Sequence, residues 1–403
     1  MLLRLVAVLL AAALVLACGP LKVLAFEQEP GITLEEGLPE ALPVISLIDD
    51  PLPVKAAILM DQHSGRVLFE QNSDERLAPA SITKVMTLLL VMEALESGKI
   101  SMEDKVVTSE LAASMGGSQI WLKVGEEMTV DQLLRAVAIS SANDASVALG
   151  EHVAGSDSAF IDRMNKRAQE LGMTNSRFLN CTGLDEDGHY TSARDVATAS
   201  RALMRHSLIV EYSTIWMDEL RGGETQLVNT NRLVRFYSGA TGLKTGTTNL
   251  AGSCLSATAS RDGLSLVAVV MGAPNSDTRF ASARGLLDYG FGNFMSAVPP
   301  SIADKLNAVR VLRGVEDSVM PVYEAPGSFV IEKEMEDKIE QVITLIPDVH
   351  APVTMGQVLG MVEVLVGGNI VGSYPLKANK DIARMDFPRA FAALIGSALK
   401  MRW

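Results

Sequence analysis

The chain of 403 residues is long enough for two or more domains, each with its own hydrophobic core. Its composition, with 48% hydrophobic and 5% aromatic residues, is that of a globular protein and excludes a largely disordered chain. The net charge of −13 and the isoelectric point near 5.0 argue against a nucleic-acid partner, which would require a basic surface.

The N-terminus has the pattern of a secretory signal, because the positive charge of Arg4 precedes a short apolar run, residues 5–17. That run is too short to span a bilayer as a helix. We expect residues 1–25 to be a signal peptide that is cleaved after Ala25, with lipidation at Cys18 as the alternative. By either route the protein is exported from the cytoplasm.

The next segment, residues 26–53, is rich in Pro, Glu and Asp and has no sustained periodicity, which predicts an acidic linker that is partly disordered. We expect the folded part to begin at residue 54. Ala56–Asp61 and Arg66–Glu70 are strand-like runs on either side of a turn that contains Gly65. This arrangement predicts a β-hairpin.

A helix is predicted to start near Pro79 and to end near Gly98. Ser81 and Lys84 are three residues apart on it, so they share a face and the Lys84 amine can reach the Ser81 hydroxyl. A serine attacks well only when a base takes its proton, and lysine is such a base only when burial or another cation lowers its pKa. Because residues 85–92 are almost all apolar, we predict a buried helix with a second lysine nearby.

Hydrophobic periodicity predicts further helices and then two strands in the middle of the chain. The predicted segments are the helices Val130–Ile139, Ala159–Leu171 and Ala193–Met204, and the strands Ala251–Ala259 and Leu264–Met271. Ser192 is the expected N-cap of the last helix, with Asp195 completing a variant of the capping box. Strands at both ends of this region with helices between them predict an α+β fold, an antiparallel sheet covered by helices, over residues 54–296.

Beyond this region, residues 297–375 change to short strands separated by turns, which predicts a small all-β domain. The predicted strands are 308–312, 319–322, 329–331, 339–346, 358–365 and 369–374. The last segment, residues 376–403, places its apolar side chains on one helical face, with cations off that face. The apolar side chains are Phe387, Phe391, Leu394, Ile395, Ala398 and Leu399.

This tail is too short and too charged to span a bilayer, so we predict an amphipathic helix that anchors the protein to a membrane surface. A terminal helix docked on the protein itself is the alternative. The chain has three cysteines, of which Cys181 and Cys254 are expected as buried free thiols. Its five histidines have no metal-ligand spacing, and we expect no catalytic metal and no cofactor.

Two further motifs accompany the Ser81–Lys84 pair. Ser141-Ala142-Asn143 follows a predicted helix, and Lys244-Thr245-Gly246 begins a predicted strand. Each motif alone is common, since the first is usually a cap or turn and the second an ordinary strand end. In this order along one chain, however, the three together are specific for penicillin-interacting serine enzymes.

With these motifs the chain resembles the low-molecular-mass penicillin-binding proteins that are D-alanyl-D-alanine carboxypeptidases. The resemblance covers roughly residues 54–403, and Ala142, where the family often has glycine, is a mild departure. It implies a β-lactamase/transpeptidase-like domain followed by the β domain and the tail. The matching segments are Pro79–Lys84, Ser141–Ala145, Gly183–Asp195, Gly242–Gly246 and Gly356–Gly360.

The resemblance also implies roles for individual side chains. Ser81 attacks the carbonyl between the terminal D-alanines of a peptidoglycan stem peptide, and Lys84 accepts its proton. Ser141 relays a proton to the leaving D-alanine, and Asn143 holds the substrate backbone and Lys84. Lys244 is expected across the site, where like-charge repulsion would depress the pKa of Lys84.

For the rest of the site, the resemblance implies an oxyanion hole made by the backbone N–H groups of Ser81 and Thr247. Thr245 and Arg279, together with Lys244, would bind the substrate, the first two at its terminal carboxylate. A carboxypeptidase needs a cation there, because the free C-terminus is what distinguishes its substrate.

The expected function is therefore a serine D-Ala-D-Ala carboxypeptidase at the outer face of the cytoplasmic membrane, acylated and inhibited by β-lactam antibiotics. A β-lactamase is the nearest alternative, but residues 144–243 contain no Glu-x-x-Leu-Asn that would hold a deacylating water. A non-catalytic wall-binding protein is the other alternative, and the presence of every expected catalytic side chain argues against it.

Overall fold

The computed structural model describes residues 51–324 and 327–391. The predicted signal peptide and nearly all of the predicted linker lie outside the described residues, as do residues 392–403 of the tail.

Up to residue 293 the described chain mixes helices with strands, and beyond it strands predominate. The strands are β1 (Ala56–Asp61), β2 (Val67–Gln71), β3 (Lys105–Val107), β4 (Glu127–Thr129), β5 (Met217–Leu220), β6 (Thr225–Val228), β7 (Ala240–Thr248), β8 (Gly252–Arg261), β9 (Leu264–Ala273), β10 (Phe294–Ala297), β11 (Val309–Leu312), β12 (Ser318–Val319), β13 (Pro321–Tyr323), β14 (Phe329–Glu332), β15 (Ile339–Leu345), β16 (Asp348–His350), β17 (Val358–Val366) and β18 (Asn369–Ala378). The helices are α1 (Lys84–Glu96), α2 (Glu110–Ala113), α3 (Val130–Ser140), α4 (Asn143–Ala154), α5 (Asp157–Glu170), α6 (Ala193–Leu203), α7 (Leu208–Ser213), α8 (Leu233–Phe236) and α9 (Ser276–Asn293). Short 3₁₀ helices are found at Ala80–Thr83, Arg221–Gly223, Ala303–Lys305 and Lys333–Lys338.

The main sheet has five antiparallel strands in the order β2-β1-β9-β8-β7, so β7 is an edge strand. Side chains alternate across it, and each face is covered by helices. On β1, Ala57 and Leu59 belong to the core that includes Leu286 of α9, whereas Ile58 belongs to the core that includes Val196 of α6. The predicted α+β fold with a helix-covered antiparallel sheet is confirmed.

Helix α1 is the centre of the helical lobe. Its residues from Lys84 to Met92 are all buried, as the apolar run predicted, and it ends at Ser97 with Gly98 in a left-handed conformation. The helix that starts at Ala193 has Ser192 as N-cap, with its hydroxyl accepting from the Asp195 N–H. The predicted end of α1 and the predicted bounds of α6 are therefore confirmed to within one or two residues, whereas α1 begins at Lys84, five residues after the expected start near Pro79.

The C-terminal part is a set of small sheets, as predicted. Two pairings join segments that are distant in sequence, since β10 pairs with β14 and β11 pairs in parallel with β16. Arg66 links the two parts of the chain by donating to the carbonyl of Val330 at 2.8 Å and to the Glu332 carboxylate at 2.6 Å. The expected boundary between residues 296 and 297 thus lies within β10.

Two smaller features concern the cysteines and the length of the helices. Cys181 and Cys254 are buried free thiols, as predicted. Across residues 51–324 and 327–391, no helix combines the length and the apolar character that crossing a bilayer requires.

Candidate active site

The Ser81–Lys84 pair lies where a 3₁₀ turn runs into a helix. Ser81 belongs to the 3₁₀ helix Ala80–Thr83, and α1 begins at Lys84, so the expected position of Ser81 in the first α-helical turn was wrong. In 3₁₀ geometry, residues three apart eclipse one another, so the two side chains still meet. The Lys84 Nζ lies 3.0 Å from the Ser81 Oγ.

Lys84 is fully buried and has three hydrogen-bond partners in the part of the chain that the structure describes. Besides Ser81, its amine donates to the Asn143 Oδ1 at 2.6 Å and to the Thr182 carbonyl at 2.6 Å. A neutral amine keeps two N–H bonds and gains a lone pair. With Asn143 and Thr182 as acceptors, that lone pair faces the Ser81 hydroxyl, which is the geometry of a base beside its nucleophile.

The protonation of Lys84 is set mainly by burial, which lowers its pKa to about 7, while the nearby Asp144 carboxylate acts in the opposite direction. Burial, and not the expected repulsion from Lys244, is therefore the largest cause of this shift. The repulsion between the two amines is mutual, and the pKa of Lys244 is lowered well below its usual value by burial first and then by the charges of Lys84 and Arg279. Two buried amines that repel each other cannot both be fully protonated at neutral pH.

The second motif lies between two helices. Helix α3 ends at Ser141, which is in the left-handed conformation with φ 63°, and α4 begins at Asn143. The Asn143 amide donates to the carbonyl of Gly116 at 2.6 Å, while its Oδ1 accepts from Lys84. The buried Ser141 Oγ and Lys244 Nζ have no hydrogen-bond partner among the described residues, so both polar groups are available to a substrate.

Two glycines allow other backbone segments to pack closely against the backbone of Ala80 and Ser81. A Cβ at Gly246 on β7 would lie 2.8 Å from the Ser81 nitrogen. A Cβ at Gly183 would lie 1.8 Å from the Ala80 carbonyl oxygen, and the φ of Gly183 is +86°. Any side chain at either position would therefore displace the turn that carries Ser81.

Arg279 lies against the third motif but not against Thr245. Its Nη1 donates to the Gly246 carbonyl at 3.2 Å and to the Thr247 Oγ1 at 3.1 Å. Burial lowers its pKa to about 10, so it remains charged at neutral pH. The Thr245 hydroxyl donates instead to the hydroxyl of Thr230 at 2.7 Å. The structure thus brings Ser81, Lys84, Asn143 and β7 together, with Arg279 beside Thr247.

Sequence reasoning missed two residues that support the site. Asp144 is fully buried and accepts from the backbone N–H groups of Ile120 at 3.1 Å and Leu122 at 3.0 Å, which fixes the loop that carries Gly116. Its position directly after Asn143 was the available signal. Thr182 contributes only its backbone carbonyl, and no sequence signal identifies a carbonyl that reaches a distant lysine.

His189 supports the site through a contact with Thr83, in the same 3₁₀ helix as Ser81. Its Nδ1 accepts from the Leu179 N–H at 3.4 Å, so its Nε2 is the protonated nitrogen and donates to the Thr83 hydroxyl at 3.1 Å. Burial lowers its pKa to about 4, so the ring is neutral at physiological pH. Its contacts are those of a structural residue.

Family models match most of the chain. Residues 49–275 match the family described as D-alanyl-D-alanine carboxypeptidase. Residues 302–384 match the family described as penicillin-binding protein 5, C-terminal domain.

Curated relatives and solved structures agree with these matches. The chain is 40% identical to D-alanyl-D-alanine carboxypeptidase DacF of Bacillus subtilis over 86% of its own length and 90% of that protein. It is 35% identical to D-alanyl-D-alanine carboxypeptidase DacC of Escherichia coli over 87% and 89% of the two chains. Penicillin-binding protein 5 from Haemophilus influenzae is a structural neighbour with a TM-score of 0.75 and 30% identity, covering 84% of this chain and all of that one.

Proposed function

This chain belongs to the D-alanyl-D-alanine carboxypeptidase family and is a serine-type D-Ala-D-Ala carboxypeptidase, and we propose that Ser81 is its nucleophile and Lys84 its general base. The observation that carries this assignment is the position of the Lys84 amine, 3.0 Å from the Ser81 Oγ and held by Asn143 and Thr182. A base in this geometry, with a pKa near neutrality, activates a serine hydroxyl.

In the acylation step, the Ser81 oxygen attacks the carbonyl carbon of the penultimate D-alanine while Lys84 takes the hydroxyl proton. The tetrahedral intermediate then collapses, the C–N bond breaks, and the terminal D-alanine leaves with a proton that Ser141 relays. Water subsequently hydrolyses the ester on Ser81. Lys244 is a hydrogen-bond donor to the substrate.

The remaining groups stabilise charge on the substrate. Backbone N–H groups of Ser81 and Thr247 form the oxyanion hole, and a donor of this kind contributes about 3–4 kcal/mol to a reaction of this class. Thr245 and Arg279 bind the terminal carboxylate. The contacts of Arg279 with the backbone and hydroxyl groups of β7 support this assignment, because they hold a cation beside the strand that the substrate would follow.

We place the start of the β domain at residue 297 and propose that the tail is a membrane anchor, with residues 1–25 as the export signal. The expected boundary between residues 375 and 376 falls within β18, and Ile382 is still buried in a core of the β domain, so the anchor is the helix that follows. The described start of the tail helix supports the anchor. Phe387 and Phe391 are 65% and 48% exposed and their rings stack at 6.1 Å, so the helix presents aromatic rings to the solvent. The enzyme then acts at the outer face of the cytoplasmic membrane, where peptidoglycan is its substrate.

The test of this function is to incubate the protein with benzylpenicillin and, separately, with a peptide ending in D-Ala-D-Ala. We expect a long-lived adduct of the protein by mass spectrometry, release of D-alanine, and loss of both in Ser81→Ala. Ser158→Ala, at an exposed serine of α5, is the matched control and should retain both. Rapid penicillin hydrolysis without D-alanine release would establish a β-lactamase, and absence of both reactions would establish a non-catalytic protein.

A further inference from the structure

Trp121 is a large apolar side chain on the loop that binds Asn143. It is 71% exposed, while its neighbours Ile120 and Leu122 are 2% and 4% exposed. The same loop accepts the Asn143 N–H at the Ser118 carbonyl, at 2.7 Å. An exposed indole therefore lies only three residues from a direct contact with the catalytic cluster.

The conformation of Trp121 is held by its neighbours at a cost in backbone energy. Its φ is +55°, in the left-handed region that a bulky residue adopts only under constraint. The buried Asp144 carboxylate fixes the N–H groups on both sides of it, and the Arg221 guanidinium donates to the Ile120 carbonyl at 2.9 Å. The side chains of Asp144 and Arg221 thus fix the backbone of a loop in which the Trp121 indole is exposed to solvent. Exposure of such an apolar side chain is itself unfavourable.

A second loop meets this one above the site. The Leu184 Cδ2 lies 3.8 Å from where a Cβ of Gly117 would be, so the loop of Leu184 packs, at Gly117, against the loop that carries Trp121, and we call the exposed surface of these two loops the rim. Leu184 is 38% exposed and is followed by three exposed carboxylates, Asp185–Asp187. The rim therefore combines apolar surface with negative charge.

We propose that this rim, formed by Trp121, Leu184 and the carboxylates after it, binds the side chain of the third stem residue when that side chain is a hydrocarbon chain ending in an ammonium group. This inference rests on the proposed function, in which residues four and five are the D-alanines at Ser81. From Ser118 to Trp121 the backbone spans at most about 10 Å, so the backbone of Trp121 lies within this distance of the carbonyl group that binds the Asn143 N–H.

The chemistry of the rim matches such a side chain in two ways. Indole is the best aromatic partner for an ammonium group, and its face also covers the hydrocarbon chain. The carboxylates of Glu186 and Asp187 add attraction for the cation that depends on ionic strength. A neutral, short side chain at the third position would gain neither contribution.

The test uses three pentapeptides that end in D-Ala-D-Ala and carry lysine, Nε-acetyl-lysine or alanine at position three. We expect kcat/KM to fall in that order for the wild-type chain. Trp121→Ala should lower kcat/KM for the lysine peptide about fivefold, which is the effect expected for losing an exposed cation–π contact and the apolar contact that accompanies it. The value of kcat/KM for the alanine peptide should be unchanged. Trp121→Phe should retain most of the preference for the lysine peptide. A Glu186→Gln/Asp187→Asn double variant should lower kcat/KM for the lysine peptide and leave the values for the other two peptides unchanged.

Phe236→Ala is the matched control, because Phe236 is 62% exposed and precedes β7 at the end opposite Thr247. Equal rates on the three peptides, or an equal loss on all three in Trp121→Ala, would overturn the proposal. The rate of Ser81 acylation by benzylpenicillin is measured in every variant, and an unchanged rate shows an intact fold. Failure of the proposed function is distinguishable, since it would remove acylation and D-alanine release from the wild-type chain itself.

Discussion

The amine of Lys84 lies closer to the Oδ1 of Asn143, at 2.6 Å, than to the Oγ of Ser81, at 3.0 Å. The second motif and the Thr182 carbonyl thus position the Lys84 amine, and the Ser81 hydroxyl lies beside the same nitrogen. In the proposed mechanism this amine must be neutral to accept a proton, so the protonation of Lys84 would control the reaction.

The rate of Ser81 acylation by benzylpenicillin should rise with pH and level off above pH 7. Burial lowers the pKa of Lys84 to about 7, and only the unprotonated amine accepts a proton, so the rate falls as pH decreases through that value. Well below the midpoint the loss approaches about tenfold per pH unit. Stopped-flow acylation across this range measures the midpoint, and a rate independent of pH would exclude Lys84 as the base. Lys84→Arg, which stays protonated, should be inactive throughout.

Asp144→Asn should move that midpoint to lower pH. The Asp144 carboxylate raises the pKa of Lys84, so removing its charge lowers that pKa and keeps the amine neutral in more acidic solution. The neutral amide is also a weaker acceptor for the N–H groups of Ile120 and Leu122, and we expect a loss of about 1–3 kcal/mol in the free energy of unfolding. The pH profile and urea unfolding test the two effects separately. A midpoint that moves to higher pH would contradict the electrostatic argument.

Gly246→Ala should inactivate the enzyme. The added Cβ would lie 2.8 Å from the Ser81 nitrogen and 2.9 Å from the Ile82 nitrogen, and neither backbone atom can move without displacing the nucleophile. We expect acylation to slow by about a hundredfold or more, the scale of a roughly 1 Å misplacement. Unfolding free energy should decrease by about 1–3 kcal/mol. Gly285→Ala in α9 is the control, because no described atom outside its chain neighbours and its own helix backbone lies within 4 Å of its Cβ position. Unaltered acylation in Gly246→Ala would show that the turn is adaptable.

Removal of all residues after Asp386 should release the protein from vesicles that contain anionic lipid. Asp386 accepts from the Arg389 N–H and caps the helix that presents Phe387 and Phe391, so the deletion takes away the exposed aromatic rings and the cations that follow. Co-sedimentation measures binding, and D-alanine release in solution should be unchanged. Retained binding by the truncated chain would place the membrane contact elsewhere, and Phe387→Ser/Phe391→Ser should give an intermediate result.

Much of this site was predictable because its signals are local in sequence. A spacing of three residues brings Ser81 and Lys84 together in either helix type, so the pair was identified although the 3₁₀ turn was not. The apolar run after Lys84 indicated a buried helix, and burial is the largest cause of its lowered pKa. The β strands of the C-terminal part were recognised from their turns in the same way.

What could not be predicted depends on contacts between distant segments. The Thr182 carbonyl reaches Lys84 across 98 residues, and the Asp144 carboxylate reaches back to Ile120. Neither contact leaves a periodic pattern or a composition signal. The pairing of β10 with β14 and the parallel pairing of β11 with β16 depend equally on how the completed chain folds back.

The enclosure of the Ala80–Ser81 backbone by Gly183 and Gly246 limits how this enzyme can adapt to antibiotics. A larger residue at either glycine would displace Ser81. Such a substitution would stop the reaction with the stem peptide as well as the reaction with the drug, so it is not a route to reduced β-lactam susceptibility. Substitutions that slow acylation by the drug and spare the natural reaction must therefore lie at other positions, where a new side chain leaves the Ala80–Ser81 backbone in place.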